Sequence, residues 1–153
     1  YADDYIAGLK EYARNDPRVV FTGYLFGEGY HELGSNAHTF VETSGVGGTH
    51  PALVEAMAFG NCVVAHDTAE NRETIGDTGF VYDGTLGGES LRQVLARLLV
   101  DPELVAEYRQ RAQRRAASCY SWESVTDDYE RLFYRICGRP LPSRLLPSGH
   151  RAP

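Results

Sequence analysis

The sequence predicts an α/β fold in which a parallel sheet of about four strands carries helices on both faces. Two observations predict it. Short β-rich runs alternate with segments of helical spacing, as in sheets built from β-α-β units. A glycine-rich loop at residues 43–50 stands between a predicted strand and a short apolar helix, and a buried-looking strand follows that helix. In such sheets, ligands bind beyond the carboxyl ends of the strands.

The first half of the chain supplies the alternation. Residues 2–14 have apolar side chains at helical spacing and stop at Asn15-Asp16-Pro17, where proline cannot continue a helix. The β-rich run 19–22 is closed by a glycine and predicts the first strand. The remaining predicted elements are a helix over 30–37, a strand over 39–43, a helix over 51–59, a strand over 62–66, one or two helical turns over 71–75 and a strand over 79–82.

From residue 88 to residue 137 the pattern is helical throughout. An apolar stripe predicts one helix, Asp101-Pro102 begins a second with proline at its first position, and Ser121 caps a third. Residues 138–153 sustain neither the helix nor the strand period, and they predict a disordered, basic, proline-rich tail. We therefore expect one domain over residues 1–137, followed by that tail.

Composition excludes several functional classes. The net charge of −6 argues against a nucleic-acid-binding surface. No apolar run approaches the roughly 20 residues that a membrane helix needs. The three cysteines fit neither a metal site nor a disulfide framework, which favours a reduced, cytoplasmic chain. The sequence contains no Gly-Lys-Ser/Thr and therefore no P-loop. A pyridoxal phosphate enzyme needs a lysine for its Schiff base, and the only lysine, Lys10, lies on an apparently exposed helix.

The glycine loop and the helix after it form the candidate site. A helix N-terminus offers free N–H groups and partial positive charge to a phosphate, and glycines before it allow close approach. Glu55 is the only charged residue of the helix, and it can accept hydrogen bonds from sugar hydroxyls. Two interpretations are near even on these grounds: Glu55 binds a nucleotide-sugar, or it marks the solvent side of a mostly buried helix.

The run Gly45–His66 resembles the donor-binding region of the family 4 glycosyltransferases, which have the GT-B architecture, and within them the rhamnosyltransferase-like members. Four further blocks occur in the same order as in that family: Asp16–Gly23, Ala65–Glu73, Gly76–Phe80 and Tyr120–Glu123. The resemblance covers roughly residues 1–135. It implies a partial Rossmann-like, nucleotide-sugar-binding C-terminal domain of the GT-B fold.

The resemblance also implies the roles of individual residues. Glu55 is the second acid of a Glu-x7-Glu pair and takes the ribose hydroxyls. The first acid falls on Gly47, or on Gly45 by the rhamnosyltransferase-like pattern, and the nearest acid, Glu42, ends a strand. This departure puts sugar binding or turnover in doubt. The expected donor-binding residues are Gly47, Gly48, Thr49, His50, Ala52, Leu53, Glu55 and Arg72.

Several roles stay open. Arg72 clamps a diphosphate or forms a surface ion pair, with the clamp slightly favoured. His66 and Asp67 are functional groups at the end of a strand, or are satisfied by local hydrogen bonds. Catalytic residues are unknown. We expect no bound metal, because His31 and His50 lack partners at ligand spacing, and no cofactor beyond a nucleotide diphosphate-sugar substrate.

The implied function is a retaining transfer of a sugar, with rhamnose as one candidate, onto a polysaccharide or glycolipid precursor. The alternative is a non-catalytic nucleotide-binding or interaction domain that keeps the fold and loses the chemistry. From the resemblance we expect that the chain begins inside the donor domain and lacks the acceptor domain. We therefore expect the chain alone to be inactive. The implied location is the cytoplasm, which is compatible with peripheral association at the inner face of the membrane.

Overall fold

The computed structural model describes residues 2–86 and 88–146. It contains three parallel strands in the order β1-β2-β3. The strands are β1 (Thr39–Glu42), β2 (Cys62–His66) and β3 (Phe80–Tyr82). The helices are α1 (Ala2–Ala13), α2 (Glu28–Asn36), α3 (Pro51–Ala58), α4 (Ala69–Ile75), α5 (Gly88–Val100), α6 (Pro102–Cys119) and α7 (Trp122–Ile136). Short 3₁₀ turns occupy Gly84–Leu86 and Ser143–Leu145.

The sheet separates two clusters of buried side chains. On one face, Val63 and Ala65 of β2 pack with buried residues of α3, α4 and α6. On the other face, Cys62 and Val64 pack with Tyr82 and with buried residues of α5 and α6. Every residue of β2 except His66 is buried, because this central strand is covered on both faces. Burial raises the pKa of the Cys62 thiol to about 11, which keeps it protonated near neutral pH.

The described residues divide at Leu33–Gly34 into two compact units. In the first unit, α1 is followed by a turn in which Asp16 accepts hydrogen bonds from the backbone and side chain of Arg18. The Arg18 side chain holds the pKa of Asp16 below its usual value. The predicted strand over 19–22 is wrong: this segment is in no strand, and Val20 is 74% exposed. A strand needs a ladder partner, and none of the described residues supplies one.

Helix caps agree with the sequence. Asp101 accepts a hydrogen bond from the N–H of Leu104, with Pro102 at the first position of α6. Ser121 accepts one from the N–H of Ser124 at the start of α7. These bonds satisfy N–H groups that a helix N-terminus leaves open. They confirm where α6 and α7 begin.

The start of the predicted tail lies against α7. The Leu145 side chain is buried, and its carbonyl accepts a hydrogen bond from the Arg131 side chain at 3.0 Å. Arg144 forms ion pairs with Asp127 and Glu130 of α7. Residues 147–153, which complete the predicted tail, lie outside the described residues. The domain boundary at residue 137 and the disorder of the tail stay predictions.

Candidate functional site

The carboxyl ends of the three strands meet at one edge of the sheet. Glu42 pairs with Ala65, and His66 pairs with Tyr82, so the strands end level with one another. The loop 43–50, the short connection before α4 and the turn after β3 all leave from this edge. This is the edge at which open α/β sheets bind ligands.

The glycine loop delivers open N–H groups to the start of α3. The carbonyl of His50 accepts hydrogen bonds from the N–H groups of Leu53 and Val54, at 3.1 and 3.2 Å. Among the residues that the structure describes, no side chain caps this helix. In the described part of the chain, no acceptor meets the N–H groups of four residues: Gly48, Thr49, His50 and Ala52. Four open donors at an exposed helix N-terminus can hold an anion.

Gly47 shapes this loop. Its φ of +135° belongs to a backbone region that residues with a side chain rarely adopt. A Cβ atom at Gly47 would lie 3.0 Å from Cε1 of His50. Glycine at this position therefore lets the chain fold closely over the His50 ring.

Helix α3 has one buried and one exposed side. Leu53, Ala56 and Met57 are buried against the sheet, while Ala52 and Glu55 are exposed. The helix is thus not buried all round, and Glu55 lies on its exposed side, one turn after Ala52. Leu53, predicted as a donor contact, is a core residue whose N–H is already bonded to His50. The open N–H of Ala52 and the Glu55 carboxylate share the exposed side.

Arg72 is paired with Asp67 in this structure. Its Nη2 donates to Oδ2 of Asp67 at 2.6 Å, and its Nε donates to Oδ1, so the contact is bidentate. This pair raises the pKa of Arg72. A diphosphate would have to displace Asp67 before Arg72 could clamp it. Of the two interpretations of Arg72, the structure contains the ion pair.

His66 fits between two glycines. Its ring stacks on Tyr82, with the centroids 5.5 Å apart. A Cβ at Gly45 would lie 2.9 Å from Nδ1, and one at Gly84 would lie 2.2 Å from Nε2. Burial raises the pKa of Tyr82, and the charge of Glu42 adds to that shift. Next to Tyr82, the pKa of Asp83 is lowered because the hydroxyl and N–H of Thr85 donate to its carboxylate.

Two buried polar residues complete this edge. Glu42 is 8% exposed, and Asn71 is fully buried. The N–H of Ser44 donates to Oε1 of Glu42 at 2.8 Å. The Asn71 Nδ2 donates to the carbonyls of His66 and Ser44, at 3.0 and 3.4 Å. Sequence reasoning treated neither as a site residue. Their only signal was position, since Glu42 is the last residue of β1 and Asn71 lies in the first turn of α4, the helix that follows β2.

Two findings concern the described residues alone. Residues 2–86 and 88–146 contain no group of three His, Cys, Asp or Glu side chains that could hold a metal ion. Within the same residues, no helix is both long and apolar enough to cross a membrane.

Comparison with known proteins decides the family. The sequence profile described as "Glycosyl transferases group 1" matches residues 3–101. The chain belongs to this glycosyl transferase family. No curated protein matches it. Among solved structures it is similar to sucrose-phosphate synthase from Thermosynechococcus elongatus, with a TM-score of 0.78 and 23% identity.

That structural match covers 87% of this chain and 34% of the synthase chain, so this glycosyl transferase chain spans about a third of that protein's length. The likeness confirms the predicted α/β class and the Rossmann-like C-terminal domain of the GT-B fold, with three strands in place of the four expected. Family membership confirms the glycosyltransferase assignment at the level of the family.

Proposed function

We propose that this chain holds a nucleotide diphosphate-sugar at the carboxyl edge of its sheet, as the donor-binding part of a retaining glycosyltransferase. One observation carries the proposal: four open N–H groups lead into the exposed N-terminus of α3, and the Glu55 carboxylate follows one turn later on the same side. The diphosphate needs hydrogen-bond donors, and the ribose needs an acceptor. This short segment presents both.

The proposed contacts divide by chemistry. The N–H groups of Gly48, Thr49, His50 and Ala52 face the diphosphate, and Glu55 takes the ribose hydroxyls. Gly47 gives the loop its turn. Donors fixed before the reaction stabilise the negative charge that develops on a leaving diphosphate. We propose transfer to a polysaccharide or glycolipid precursor, with rhamnose as one candidate sugar.

A second candidate is a domain of the same fold that binds a nucleotide without catalysis. It is favoured by the loop 43–50, which contains no carboxylate where the resemblance expects one at residue 45 or 47. The two candidates share donor binding and differ in turnover. Product formation from nucleotide-sugars with lipid-linked and simple glycoside acceptors separates them, and the anomeric configuration of the product tests retention.

Donor binding is tested by titrating the chain with UDP and dTDP while recording amide chemical shifts. The first signals to move should be those of residues 47–55. The Glu55→Gln variant should bind nucleotide about ten- to a hundredfold more weakly, because hydrogen bonds to a charged group contribute about 1.5–3 kcal/mol. Glu103→Gln removes an exposed acid from the first turn of α6 and serves as the control of equal charge.

Two outcomes would contradict the proposal. Shifts confined to α5, α6 and α7 would place the nucleotide elsewhere on the molecule. An unchanged dissociation constant in Glu55→Gln, with a lowered melting temperature, would make Glu55 a structural residue.

A further inference from the structure

The arginines of helix α6 differ in how their side chains are bonded. Arg111 forms ion pairs with two acids, and Arg115 donates to two carbonyls at the end of α4. Arg114 is exposed and donates to a carbonyl of its own helix. Arg109 is half-buried, and within the described residues its side chain has one hydrogen bond, from Nη1 to the Ala37 carbonyl at 3.3 Å, and no ion pair. Most donors of this guanidinium are therefore open.

Arg109 lines a surface cavity of about 340 Å³ between the end of α3 and helix α6. The other described lining residues are Phe59, Gly60, Ala106, Gln110 and Gln113. Arg109 is the one charged side chain among these described residues, so the cavity has a cationic wall and no acidic one. Its volume lies in the range of small-molecule sites in proteins.

The cavity is separate from the proposed donor site. Phe59 and Gly60 connect the end of α3 to the amino end of β2, whereas the donor site lies at the carboxyl edge, where α3 begins. The cavity is therefore at the opposite edge of the sheet. None of its described lining residues belongs to the loop 43–50.

The end of α3 makes no use of the Arg109 charge. A cation near a helix C-terminus commonly compensates open carbonyls. Here the carbonyls of residues 55–58 are already bonded, three to the N–H groups of residues 59–61 and that of Ala58 to the Gln113 amide at 3.3 Å. Gly60 allows this tight turn, because its φ of +78° suits a residue without a side chain. The charge is thus left for a partner from outside the described residues.

The chemistry of the walls selects a carboxylate. A guanidinium stays charged at neutral pH, and its planar fork matches the two oxygens of a carboxylate. A doubly charged phosphate would keep a net negative charge beside a single arginine, whereas a carboxylate balances it. The half-buried Phe59 ring lies close against the main chain, since a Cβ atom at Gly34 would be 2.8 Å from its Cδ2. The ring gives the cavity a flat apolar wall near the cation.

We infer that this cavity is a second ligand site, which binds a small molecule with a carboxylate on a flat apolar body. The carboxylate pairs with Arg109, and the body packs against Phe59. The Gln110 and Gln113 amides can bond polar groups at the rim of the ligand. This site is independent of nucleotide binding, because it shares no residue with the proposed donor site.

The test uses benzoate as the probe, with benzamide as a neutral molecule of the same shape. The full chain is titrated with each while the Arg109 Nε–H and Gly60 N–H signals are recorded. Benzoate should give saturable shifts of both signals, and benzamide should bind at least tenfold more weakly. Arg109→Gln should weaken benzoate binding about tenfold or more, since hydrogen bonds between charged groups are the strong ones.

Arg114→Gln is the matched control, because it removes the same charge from an exposed position of α6 outside the described cavity lining. It should keep benzoate affinity within twofold of the wild type. Equal losses in the two variants would overturn the inference in favour of a general charge effect. If Arg109→Gln fails to fold, the comparison of benzoate with benzamide on the wild-type chain decides.

Three results on the wild type would also overturn the inference: no saturable benzoate shifts, equal affinity for benzamide, or shifts confined to residues 47–55. The benzoate titration is repeated with UDP present and should give the same affinity. Failure of UDP to bind would contradict the proposed function alone, and loss of benzoate binding would contradict the second site alone.

Discussion

Two neighbouring connections leave the same edge of the sheet and treat their polar groups in opposite ways. The loop 43–50 after β1 is exposed along most of its length and leaves four N–H groups without acceptors among the described residues. The connection after β2 satisfies its own groups: Thr68 accepts from the N–H of Asn71, and Asp67 holds Arg72. The first loop therefore has N–H groups that can bind a ligand, whereas the polar groups named in the second connection already bond to one another.

The difference shows that a residue at the carboxyl edge of the sheet can bind a ligand only if its polar groups are not already bonded within the protein. Arg72 stands where a diphosphate clamp would be useful, yet its guanidinium already has a bidentate partner. Residues 48–50 carry no charged side chain, and their backbone donors are open. The groups at this edge that can bind a ligand are those whose hydrogen bonds are not already made within the fold.

Asn71 ties the two connections together, so its removal should have the largest effect. Asn71→Ala removes the side-chain donor of the Ser44 carbonyl and one of the two donors of the His66 carbonyl, whose other donor is the N–H of Thr68. The loss should cost about 1–3 kcal/mol of unfolding free energy and weaken UDP binding. Asn61→Ala is the matched control. Asn61 is also fully buried, and its Nδ2 donates to the carbonyl of Gly34 at the other end of β2.

Asn61→Ala should lose similar stability while keeping UDP affinity. Denaturant unfolding and calorimetric titration measure the two quantities. Equal losses of UDP affinity in both variants would show that overall stability, and not the tie between the loops, controls binding.

The loop itself is tested at its two adjacent glycines. Gly47→Ala places a side chain at φ +135° and against His50, and it should cost about 1 kcal/mol of unfolding free energy. Gly48 has no such φ, and a Cβ there meets no atom within 4 Å. Gly48→Ala should therefore change stability by less than about 0.5 kcal/mol. Equal costs at both positions would contradict the positive φ and the close His50 contact at Gly47 on which this prediction rests.

The ion pair after β2 should give the smallest effect. Asp67→Asn removes the charge that holds Arg72, so the freed guanidinium should raise UDP affinity a few-fold at low salt. Arg72→Gln in the wild-type background should change little, and the double variant should lose the gain. No gain from Asp67→Asn would place Arg72 out of reach of the diphosphate, and the clamp interpretation would be wrong.

Much of the fold followed from local pattern. The strand Cys62–His66 was predicted to the residue, and α3 ended within one residue of expectation. Both are apolar runs bounded by glycine or proline: Pro51 begins α3, and Gly60 separates it from β2. Val19–Thr22 has the composition of a strand and forms none, because β structure requires a partner that composition does not specify.

The site divided in the same way. The glycine loop, the helix N-terminus and Glu55 could be identified from order along the chain, since all three belong to one continuous segment. Glu42 and Asn71 could not, because their roles depend on burial and on bonds to Ser44, which lies between them in space and far from Asn71 in sequence.

The sequence alone determined the α/β class, the position of the glycine loop before α3 and membership of the glycosyl transferases, because each is a property of spacing and residue type. Only the tertiary structure decided which polar groups stay open. Arg72 is paired with Asp67, Leu53 lies in the core, and the buried Oδ1 of Asn71 has no hydrogen-bond partner among the described residues. Hydrogen-bond partners are set by proximity in three dimensions, and the polar groups of this edge that have no partner within the fold are the ones that can bind a ligand.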